Sequence, residues 1–428
     1  MDGVLLLLKK AITRRLFNNL QPIFHKLLAL IGAVIYRFPA NRLKVVAITG
    51  TKGKTSTAEF VNAVLEGAGF KTAITSTLRF KIGSRSEPNR LKMTMPGRFF
   101  MQKFLRRAVD EGCQWAVLEM TSEGAKQSRH CWVYLDSLIF TNLAPEHIES
   151  HGSYEKYRDA KLSIARDSLA RSPKRPRTII VNADDKEAEK FLAVAAEKRI
   201  SYRLDDAKLF RLTAGGIEMT FEGETIRSPL RGKTSIYNIL AAAAFGRSIG
   251  IPAATIKKAV ERVNEIKGRL QSINEGQGFE VIIDYAHTPD SLRALYETFA
   301  GRRKICVLGN TGGGRDKWKR PVMGQIADEH CDEIILTDED PYDEDPLVIT
   351  KEMAAGIKNK KPEIVMDRRE AIRRALALAK DGDVVLVTGK GTDPCIMGPK
   401  GERKPWSDEA VARELLRKLR NAGGEQPQ

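Results

Sequence analysis

A glycine-rich turn at residues 48–56, I-T-G-T-K-G-K-T-S, carries the side chains best suited to chemistry in this chain. Backbone N–H groups of such a turn, with the N-terminus of the helix after it, create a positive potential that binds phosphate groups. Lys54 can reach the β- and γ-phosphates of a nucleotide, and the Thr55 hydroxyl can ligate magnesium. Ile48 stands where the first glycine of G-x-x-x-x-G-K-[ST] would fall, so the sequence predicts a shorter variant of a phosphate-binding loop. The nucleotide contacts that we predict from this loop are Gly50, Thr51, Lys52, Gly53, Lys54, Thr55 and Ser56.

Short β-branched runs alternate with longer helical stretches from Lys44 onward, which is typical of βαβ units on a parallel sheet. The first series of predicted strands covers residues 45–48, 115–118, 137–140 and 178–181, and the second covers 281–284, 304–308, 333–336 and 384–387. Helices are predicted between the two series at 236–248 and 254–263. We therefore predict an α/β fold: a short helical N-terminal segment (1–44), a central P-loop ATPase domain with a parallel-rich sheet (45–268), and a C-terminal Rossmann-like α/β domain (269–428).

Two candidate metal ligands follow strands of the first series, where open α/β sheets bind their ligands. Glu119 comes directly after the second strand, and His147 follows the third. Taken alone, Glu119 could be a surface acid and His147 a structural residue. Together with the Thr55 hydroxyl they offer carboxylate, imidazole and hydroxyl ligands behind a phosphate loop, which favours a site for one or two magnesium ions.

Composition narrows the classes of partner. The chain has 428 residues, 42% of them hydrophobic, and a formal charge of +17, which predicts two or three domains and a polyanionic partner such as a nucleotide or an anionic membrane. An aromatic content of 7%, with no motif typical of single-strand binding, argues against nucleic acid.

The cysteines are odd in number and show no C-x-x-C spacing, so we expect neither a disulfide framework nor a zinc ribbon, and a reducing cytoplasm fits. They are Cys113, Cys131, Cys306, Cys331 and Cys395.

The N-terminal 44 residues are basic and leucine-rich, with eight Lys or Arg against the single acid Asp2. Their apolar runs, at 5–8 and 27–36, are far shorter than the roughly 20 residues that a bilayer span requires. The spacing predicts one or two basic amphipathic helices, which either cap the next domain or contact an anionic membrane surface. We therefore expect a cytoplasmic protein, with peripheral contact at the inner membrane face as the alternative.

Several motifs in order resemble those of the Mur ligase superfamily over residues 45 to about 415. The loop variant T-G-T-x-G-K-[ST] is the first, and E-M-T-S-E-G-A-K-Q-S-R at 119–129 is similar to the family's E-x-S-S-x-x-L-x-Q-x-R. T-N-L-A-P-E-H-I-E-S-H-G at 141–152 is similar to T-N-x-x-x-D-H-L-D-x-H-G. The others are I-Y-N-I-L-A-A-A at 236–243, G-R at 268–269, D-Y-A-H-T-P-D-S-L at 284–292 and G-N-T-G-G-G-R-D-K-W-K-R at 309–320. Within the superfamily, the UDP-N-acetylmuramoyl-tripeptide synthetases are the most similar.

The resemblance implies an ATP-dependent acid–amino acid ligase of peptidoglycan synthesis. ATP would phosphorylate a precursor carboxylate, an amine would attack the acyl phosphate, and ADP, phosphate and the amide would leave. Because a carboxylate attacking the γ-phosphate brings two anions together, such a site must supply cations. Lys161 lies fourteen residues after His147 and matches a lysine that the family carbamylates into a carboxylate-like metal ligand; an exposed helix lysine is the alternative. The implied catalytic residues are Lys54, Glu119, His147 and Lys161, the metal ligands Thr55, Glu119, His147 and carbamylated Lys161, and the further ATP contacts Asn238, Arg269, Asp284 and His287.

The two other substrates of the implied reaction are a peptidoglycan precursor and a free amino acid. Arg315 matches an arginine that binds the α-carboxylate of the amino acid, a bidentate task suited to guanidinium. The implied precursor contacts are Thr94, Pro96, Thr121, Ser122 and Arg129, and the implied amino-acid contacts are Arg315, Asp340, Pro341, Tyr342, Gly389 and Asp393.

The amino-acid segment departs from that of diaminopimelate-adding enzymes, which carry D-N-P-R where this chain reads E-D-P-Y at 339–342. Tyr342 thus replaces the arginine that would hold the distal carboxylate. The carboxylates of residues 339, 340, 343, 344 and 345 make the segment acidic, which favours a cationic side chain such as lysine or ornithine over meso-diaminopimelate. A solvated acidic loop is the alternative.

A second departure concerns the region before the phosphate loop. The tripeptide synthetases have a domain there that helps to hold uridine diphosphate, whereas 44 residues precede Val45. The carrier of the precursor is therefore open between a UDP-linked and a lipid-linked form, and a polyglutamate-type carboxylate is a further alternative. A non-catalytic nucleotide-binding paralogue is disfavoured because the chain retains a full set of implied functional residues, Lys54, Thr55, Glu119, His147 and Lys161. We expect a monomer.

Overall fold

The computed structural model describes residues 14–213 and 215–423. Its first element is helix α1, Arg14–Ile35, which confirms a helical N-terminal segment, whereas the predicted helix over the first leucine run lies outside the described residues. Two α/β units follow, each built on its own sheet. We call them the first unit and the second unit.

The sheet of the first unit has eight strands in the order β4-β3-β2-β5-β1-β6-β7-β8. The six strands from β2 to β8 in that order are parallel, and β3 and β4 extend the sheet as an antiparallel hairpin. The strands are β1 Lys44–Thr49, β2 Thr72–Thr75, β3 Arg79–Ile82, β4 Arg85–Pro88, β5 Trp115–Glu119, β6 Ser137–Phe140, β7 Thr178–Asn182 and β8 Lys198–Tyr202.

Strand β1 is buried on both faces, as expected of a parallel strand covered by helices on each side. Val45 and Ala47 pack into one hydrophobic core of the unit, and Val46 and Ile48 pack into the other. The carboxyl end of β1 therefore lies at the centre of the sheet edge, between the ends of β5 and β6. The helices of this unit are α2 Lys54–Gly67, α3 Arg98–Asp110, α4 Ser122–Lys126, α5 Ile148–His151, α6 Tyr154–Ile164, α7 Ala188–Leu192, α8 Lys233–Ser248 and α9 Ala253–Glu261.

A small antiparallel sheet that sequence reasoning did not predict packs beside α8 and α9, with strands β9 Lys208–Thr213, β10 Gly216–Phe221 and β11 Glu224–Ser228.

The sheet of the second unit has the order β12-β13-β17-β14-β15-β16, and all but the edge strand β12 are parallel. Its strands are β12 Gln271–Ile273, β13 Glu280–Asp284, β14 Lys304–Leu308, β15 Glu333–Leu336, β16 Glu363–Ile364 and β17 Val384–Thr388, followed by the hairpin β18 Cys395–Met397 and β19 Arg403–Pro405. Its helices are α10 Pro289–Thr298, α11 Lys319–His330, α12 Pro346–Ala354, α13 Arg368–Leu378 and α14 Asp408–Gly423.

The predicted α/β fold class is confirmed, and every strand of the two predicted series is present. The expectation of unpaired cysteines is wrong for one pair, because Cys306 and Cys331 form a disulfide. Cys306 lies on β14 and Cys331 ends α11 just before β15, so the pairing of two neighbouring parallel strands brings the thiols together. Sequence spacing could not reveal this contact. Among the described residues, no helix is both long enough and apolar enough to cross a bilayer.

Candidate active site

The phosphate loop joins β1 to α2, and two of its glycines are required by close packing. Gly50 has φ +148°, and a Cβ there would lie 2.0 Å from the Thr141 hydroxyl oxygen. Gly53 has φ +78°, and a Cβ there would lie 2.4 Å from Oδ1 of Asn238 on α8. Only glycine adopts these conformations and allows these approaches without strain. The loop is fixed further by Asn142, whose backbone and side-chain oxygens accept hydrogen bonds from the N–H groups of Thr51 and Lys52.

Lys54 and Thr55 open helix α2 at the mouth of a cleft. The Lys54 ammonium donates to the Thr51 carbonyl of the same loop over 2.8 Å. A phosphate oxygen could take the place of this carbonyl as the acceptor. Burial lowers the pKa of Lys54, against the opposing effect of Glu119 and Glu146. The Thr55 hydroxyl donates to Glu119 Oε2 over 3.0 Å. The two predicted metal ligands from the loop and from β5 are thus in direct contact.

Glu119 is a buried carboxylate with hydrogen-bond donors but no ion-pair partner among the described residues. It is 2% exposed and accepts hydrogen bonds from the hydroxyl of Thr55 and from the backbone and hydroxyl of Thr77. The Thr77 hydroxyl also contacts that of Thr94, 2.7 Å away. A buried carboxylate is costly without a cation. Carboxylate and hydroxyl oxygens, such as those of Glu119 and Thr55, are ligands that fit a hard cation such as Mg²⁺.

His147 lies in the same cleft, in a left-handed conformation with φ 56° that starts α5. Burial lowers the pKa of His147, although the neighbouring Glu146 opposes the shift. The neutral imidazole is the form that ligates a metal. Glu146 belongs to the motif at 141–152, but the sequence predicted no role for it. The structure places the Glu146 carboxylate in the cleft, 3.9 Å from Nε2 of His147.

Lys161 on α6 is buried beneath the phosphate loop rather than exposed on its helix. Its ammonium donates to the Gly50 carbonyl over 2.6 Å and lies 4.8 Å from the centre of the Tyr157 ring. Burial and the charge of Lys54 hold the pKa of Lys161 well below its usual range, although Glu146 and Glu119 oppose the shift. A neutral lysine amine is the nucleophile that carbamylation by carbon dioxide requires. The exposed-lysine alternative is therefore wrong.

The second unit supplies the opposite wall of the cleft. Asp284 ends β13, and its two carboxylate oxygens accept hydrogen bonds from the backbone N–H groups of Leu270 and Ala286, each over 2.7 Å. The guanidinium of Arg269 lies 4.4 Å from the centre of the Tyr285 ring. His287 donates across the cleft to Glu146. Residues of both units line the cleft, with the phosphate loop on one side and Arg269, Asp284 and His287 on the other.

Two of the predicted site residues, Gly50 and Lys161, contact each other at the phosphate loop, and the others divide into three groups. Most line this cleft, namely Thr51, Lys52, Gly53, Lys54, Thr55, Ser56, Thr94, Glu119, Thr121, His147, Asn238, Arg269, Asp284, His287 and Arg315. A second group, Ser122, Pro96 and Arg129, does not line the cleft: Ser122 begins α4 next to Thr121, and Arg129 donates to the Met95 carbonyl next to Pro96. The third group is the predicted amino-acid segment of the second unit.

Most acidic side chains of that segment are already engaged within the protein. Asp340 is bound by Lys390 over 2.8 Å and by Lys92 of the first unit over 2.5 Å. Asp343 accepts from the Lys400 backbone, Glu344 pairs with Lys317 and Arg320, and Asp345 caps α12. Glu339 is 2% exposed and accepts from Thr311. Asp340 and Glu344 thus have cationic partners within the protein, whereas Glu339, Asp343 and Asp345 accept from neutral donors. The preference for a cationic amino acid stays a prediction.

Lys92, Lys390, Asp340 and Asp393 form one cluster, which we call the charge cluster. Lys92 also lies 3.3 Å from Asp393, and Lys390 lies 3.5 Å from it. Gly389 packs against this region, since a Cβ there would lie 2.2 Å from Glu339 Oε2. Pro341 and Tyr342 pack beside Gly312 and Gly313 in the same way. Lys92 had no signal in the sequence, because its partners are about 250 and 300 residues away and only the contact between the units reveals it.

Two α/β units that meet over a phosphate loop, with a buried carboxylate beside that loop, are the arrangement expected of a nucleotide-dependent enzyme. Comparison with known proteins makes the class specific. The family model described as Mur ligase middle domain matches residues 48–246, and the one described as Mur ligase, glutamate ligase domain matches residues 268–391. The chain belongs to the Mur ligase family and is an ATP-dependent amide ligase of peptidoglycan precursor synthesis.

The relatives agree with this assignment. The chain is 35% identical over 405 residues to a UDP-N-acetylmuramoyl-L-alanyl-D-glutamate–2,6-diaminopimelate ligase of Geobacillus kaustophilus, covering 91% of this chain and 82% of that one. It is also 35% identical to a UDP-N-acetylmuramyl-tripeptide synthetase of Roseiflexus, covering 92% and 83%. The structure of Mycobacterium tuberculosis folylpolyglutamate synthase complexed with ADP has a TM-score of 0.70 over 95% of this chain and 96% of that one, at 17% identity, which shows a common fold.

Proposed function

We propose that this protein adds meso-diaminopimelate to UDP-N-acetylmuramoyl-L-alanyl-D-glutamate through an acyl phosphate. The observation that carries the proposal is the contact of Thr55 with Glu119 at the phosphate loop, in a cleft whose far wall belongs to the second unit. ATP would lie between the units, with its phosphates on the loop and its nucleoside near Asn238, Arg269 and Asp284. The relatives named above as ligases of this precursor support the assignment.

Thr55, Glu119 and His147 would hold Mg²⁺, and carbamylated Lys161 would join them as a second carboxylate. The ion supplies charge neutralisation at the transferring γ-phosphate. Lys54 would bind the same phosphate oxygens. The depth at which Lys161 is buried supports carbamylation, because a carbamate on its nitrogen would face the phosphate loop from below.

The charge cluster supports meso-diaminopimelate as the amino acid in place of the lysine-like substrate that the acidic segment suggested. It contains two cations and two carboxylates. The distal end of meso-diaminopimelate carries both an ammonium and a carboxylate, so it would exchange with an ion pair of the cluster, its ammonium meeting an aspartate and its carboxylate a lysine. Lysine has only the ammonium. Arg315 lines the cleft and makes no hydrogen bond to any residue in the described ranges, so its guanidinium is available for the α-carboxylate.

The precursor would enter along Thr94, Thr121 and Arg129. We infer a UDP-linked precursor and a monomeric, cytoplasmic enzyme, while peripheral contact with the inner membrane face stays a prediction of its own. The test is phosphate release from ATP by the purified protein with the UDP-linked dipeptide precursor and, in turn, meso-diaminopimelate, lysine and ornithine. We expect release and a tripeptide product with meso-diaminopimelate, and none from a Lys161→Ala variant. ATP binding without release under any combination would contradict the proposal.

A further inference from the structure

Helix α1 packs on the first unit through residues that include Ala29, Gly32 and Ala33, and it turns five large aliphatic residues outward. Ala29 and Ala33 are at most 1% exposed. Gly32 is also buried, and a Cβ there would lie 3.6–3.7 Å from atoms of Phe99, Arg98 and Gln102 on α3. The opposite side of the helix, which we call the outward face, consists of Ile23, Leu27, Ile31, Val34 and Ile35, with exposed fractions of 65%, 53%, 39%, 55% and 57%.

This arrangement is the reverse of an ordinary surface helix, which buries its large apolar side chains and exposes polar ones. The spacing of the outward face, at positions 23, 27, 31 and 34, is that of one stripe along a helix. Five aliphatic side chains in one stripe make an apolar patch of the kind that marks an interaction surface. Scattered single residues would need no such explanation.

The charge around the outward face identifies the kind of partner. No Asp or Glu occurs between Asp2 and Glu59, and eight Lys or Arg lie in the first 44 residues. Lys26 neighbours the stripe on α1, Arg37 follows the helix, and both are exposed. An apolar stripe bordered by cations suits the surface of an anionic bilayer, where the stripe enters the acyl boundary and the cations meet lipid phosphates. A second copy of the chain is a poor match, since a symmetric contact would face two basic segments that lack acids.

We propose that the outward face of α1 docks this protein on an anionic lipid bilayer, with the helix lying in the plane of the surface. The inward side of α1 connects this face to the proposed precursor site. Arg98 donates to His25 of α1 and to the Gln127 carbonyl, each over 2.8 Å, and Arg129 donates to the Gln127 side chain. A docked α1 therefore places the precursor-binding segment on the membrane side of the molecule.

Flotation of the full-length protein with vesicles tests the proposal independently of catalysis. Vesicles of phosphatidylcholine alone are compared with vesicles that also contain phosphatidylglycerol. We expect binding to the anionic vesicles, weakening with added salt, and little binding to phosphatidylcholine alone. The double variant L27S/I31S should bind the anionic vesicles roughly tenfold more weakly or worse, because it removes two aliphatic side chains that would enter the bilayer.

The matched control is L209S/L212S, which removes two exposed leucines (88% and 50% exposed) from strand β9. It should bind as the unsubstituted protein does, and both variants should keep the unsubstituted rate of ATP-dependent phosphate release, which reports on folding. Absence of vesicle binding, equal binding to both vesicle types, or full binding by L27S/I31S would overturn the proposal. A dimer in light scattering that L27S/I31S dissociates, without vesicle binding, would assign the face to a second copy instead.

Discussion

Glu146 of the first unit and His287 of the second are joined across the cleft by a hydrogen bond of 3.1 Å between Oε1 and Nε2. The other ring nitrogen of His287 lies 2.7 Å from the Tyr285 carbonyl oxygen. Both ring nitrogens of His287 therefore face an oxygen acceptor. Burial alone would raise the pKa of Glu146, but His287, His147 and Lys54 hold it well below its usual range. One carboxylate thus connects the second unit to the proposed metal ligands.

Replacing Glu146 by glutamine should slow turnover. Glu146→Gln keeps the size of the side chain but removes the charge that pairs with His287, so the closed cleft becomes less stable and kcat should fall about a hundredfold. Steady-state phosphate release checks this. Glu155→Gln, at an exposed position on α6, is the matched control and should retain the unsubstituted kcat. An unchanged kcat in Glu146→Gln would show that the pair has no part in catalysis.

Glu119→Gln should raise the magnesium concentration needed for half-maximal activity by roughly tenfold or more, because the amide is a poorer ligand for a hard cation. Titration of phosphate release with MgCl₂ measures the shift. Glu111→Gln is the control, since Glu111 is an exposed acid just before the other end of strand β5. The same magnesium dependence in both variants would remove Glu119 from the metal site.

Lys161→Ala should abolish turnover and regain part of it with a small carboxylate. The substitution leaves space under the Gly50 carbonyl where acetate or formate could replace the proposed carbamate. Activity measured against acetate concentration should rise and saturate in the variant, while the unsubstituted enzyme does not respond. Mass spectrometry of the native protein in bicarbonate should also show the added carbon dioxide. Neither rescue nor added mass would leave Lys161 as a purely structural residue.

Lys92→Met should change amino-acid selectivity. Without the Lys92 ammonium, Lys390 is the one cation of the charge cluster that still pairs with Asp340 and Asp393. The cluster therefore becomes more negative and disfavours a distal carboxylate. The ratio of kcat/KM for lysine to that for meso-diaminopimelate should rise about tenfold. Lys351→Met, at an exposed position on α12, should leave the ratio unchanged. A ratio that does not move would place the distal end of the amino acid elsewhere.

His25 makes the stability of the protein depend on pH. Burial and, to a smaller extent, Arg98 and Arg129 lower the pKa of His25 from 6.5 to about 4. Between these pH values the unfolded chain binds more protons than the folded one, so stability falls as pH falls through 6.5. At a pH near 5 the loss should be about 2 kcal/mol. Denaturant unfolding should show this loss, and His25→Asn should abolish that part of the pH dependence; equal slopes in both proteins would contradict it.

The strands and the phosphate-binding turn could be predicted because they depend on residues that are close together in the chain. The strands around the phosphate loop are continuous β-branched runs because both of their faces are buried, and the glycines of residues 50–53 mark the turn that follows β1. The small sheet of β9–β11 was missed because its short strands mix polar with apolar residues; β9 is largely exposed, whereas β10 is mostly buried. The division into domains at residue 268 stays a prediction.

Site residues that belong to a sequence motif were predicted. Those that depend on contact between the two units were missed. Lys54, Thr55, Glu119 and His147 share one cleft, as consecutive parallel strands of one sheet require. Lys92 and the pairing of Asp340 could not be predicted, because they follow from how the second unit packs on the first. For the same reason, a count of charges along residues 339–345 could not show that Asp340 and Glu344 have cationic partners.

Transfer of a heavy oxygen isotope tests the central claim, an acyl phosphate formed from a precursor carboxylate, most directly. The precursor is labelled in its terminal carboxylate oxygens and turned over with ATP and meso-diaminopimelate, and the released phosphate is analysed by mass spectrometry. We predict one labelled oxygen in each phosphate, because the carboxylate attacks the γ-phosphate and the amine later displaces that oxygen. Unlabelled phosphate, or AMP and pyrophosphate as products, would contradict the account.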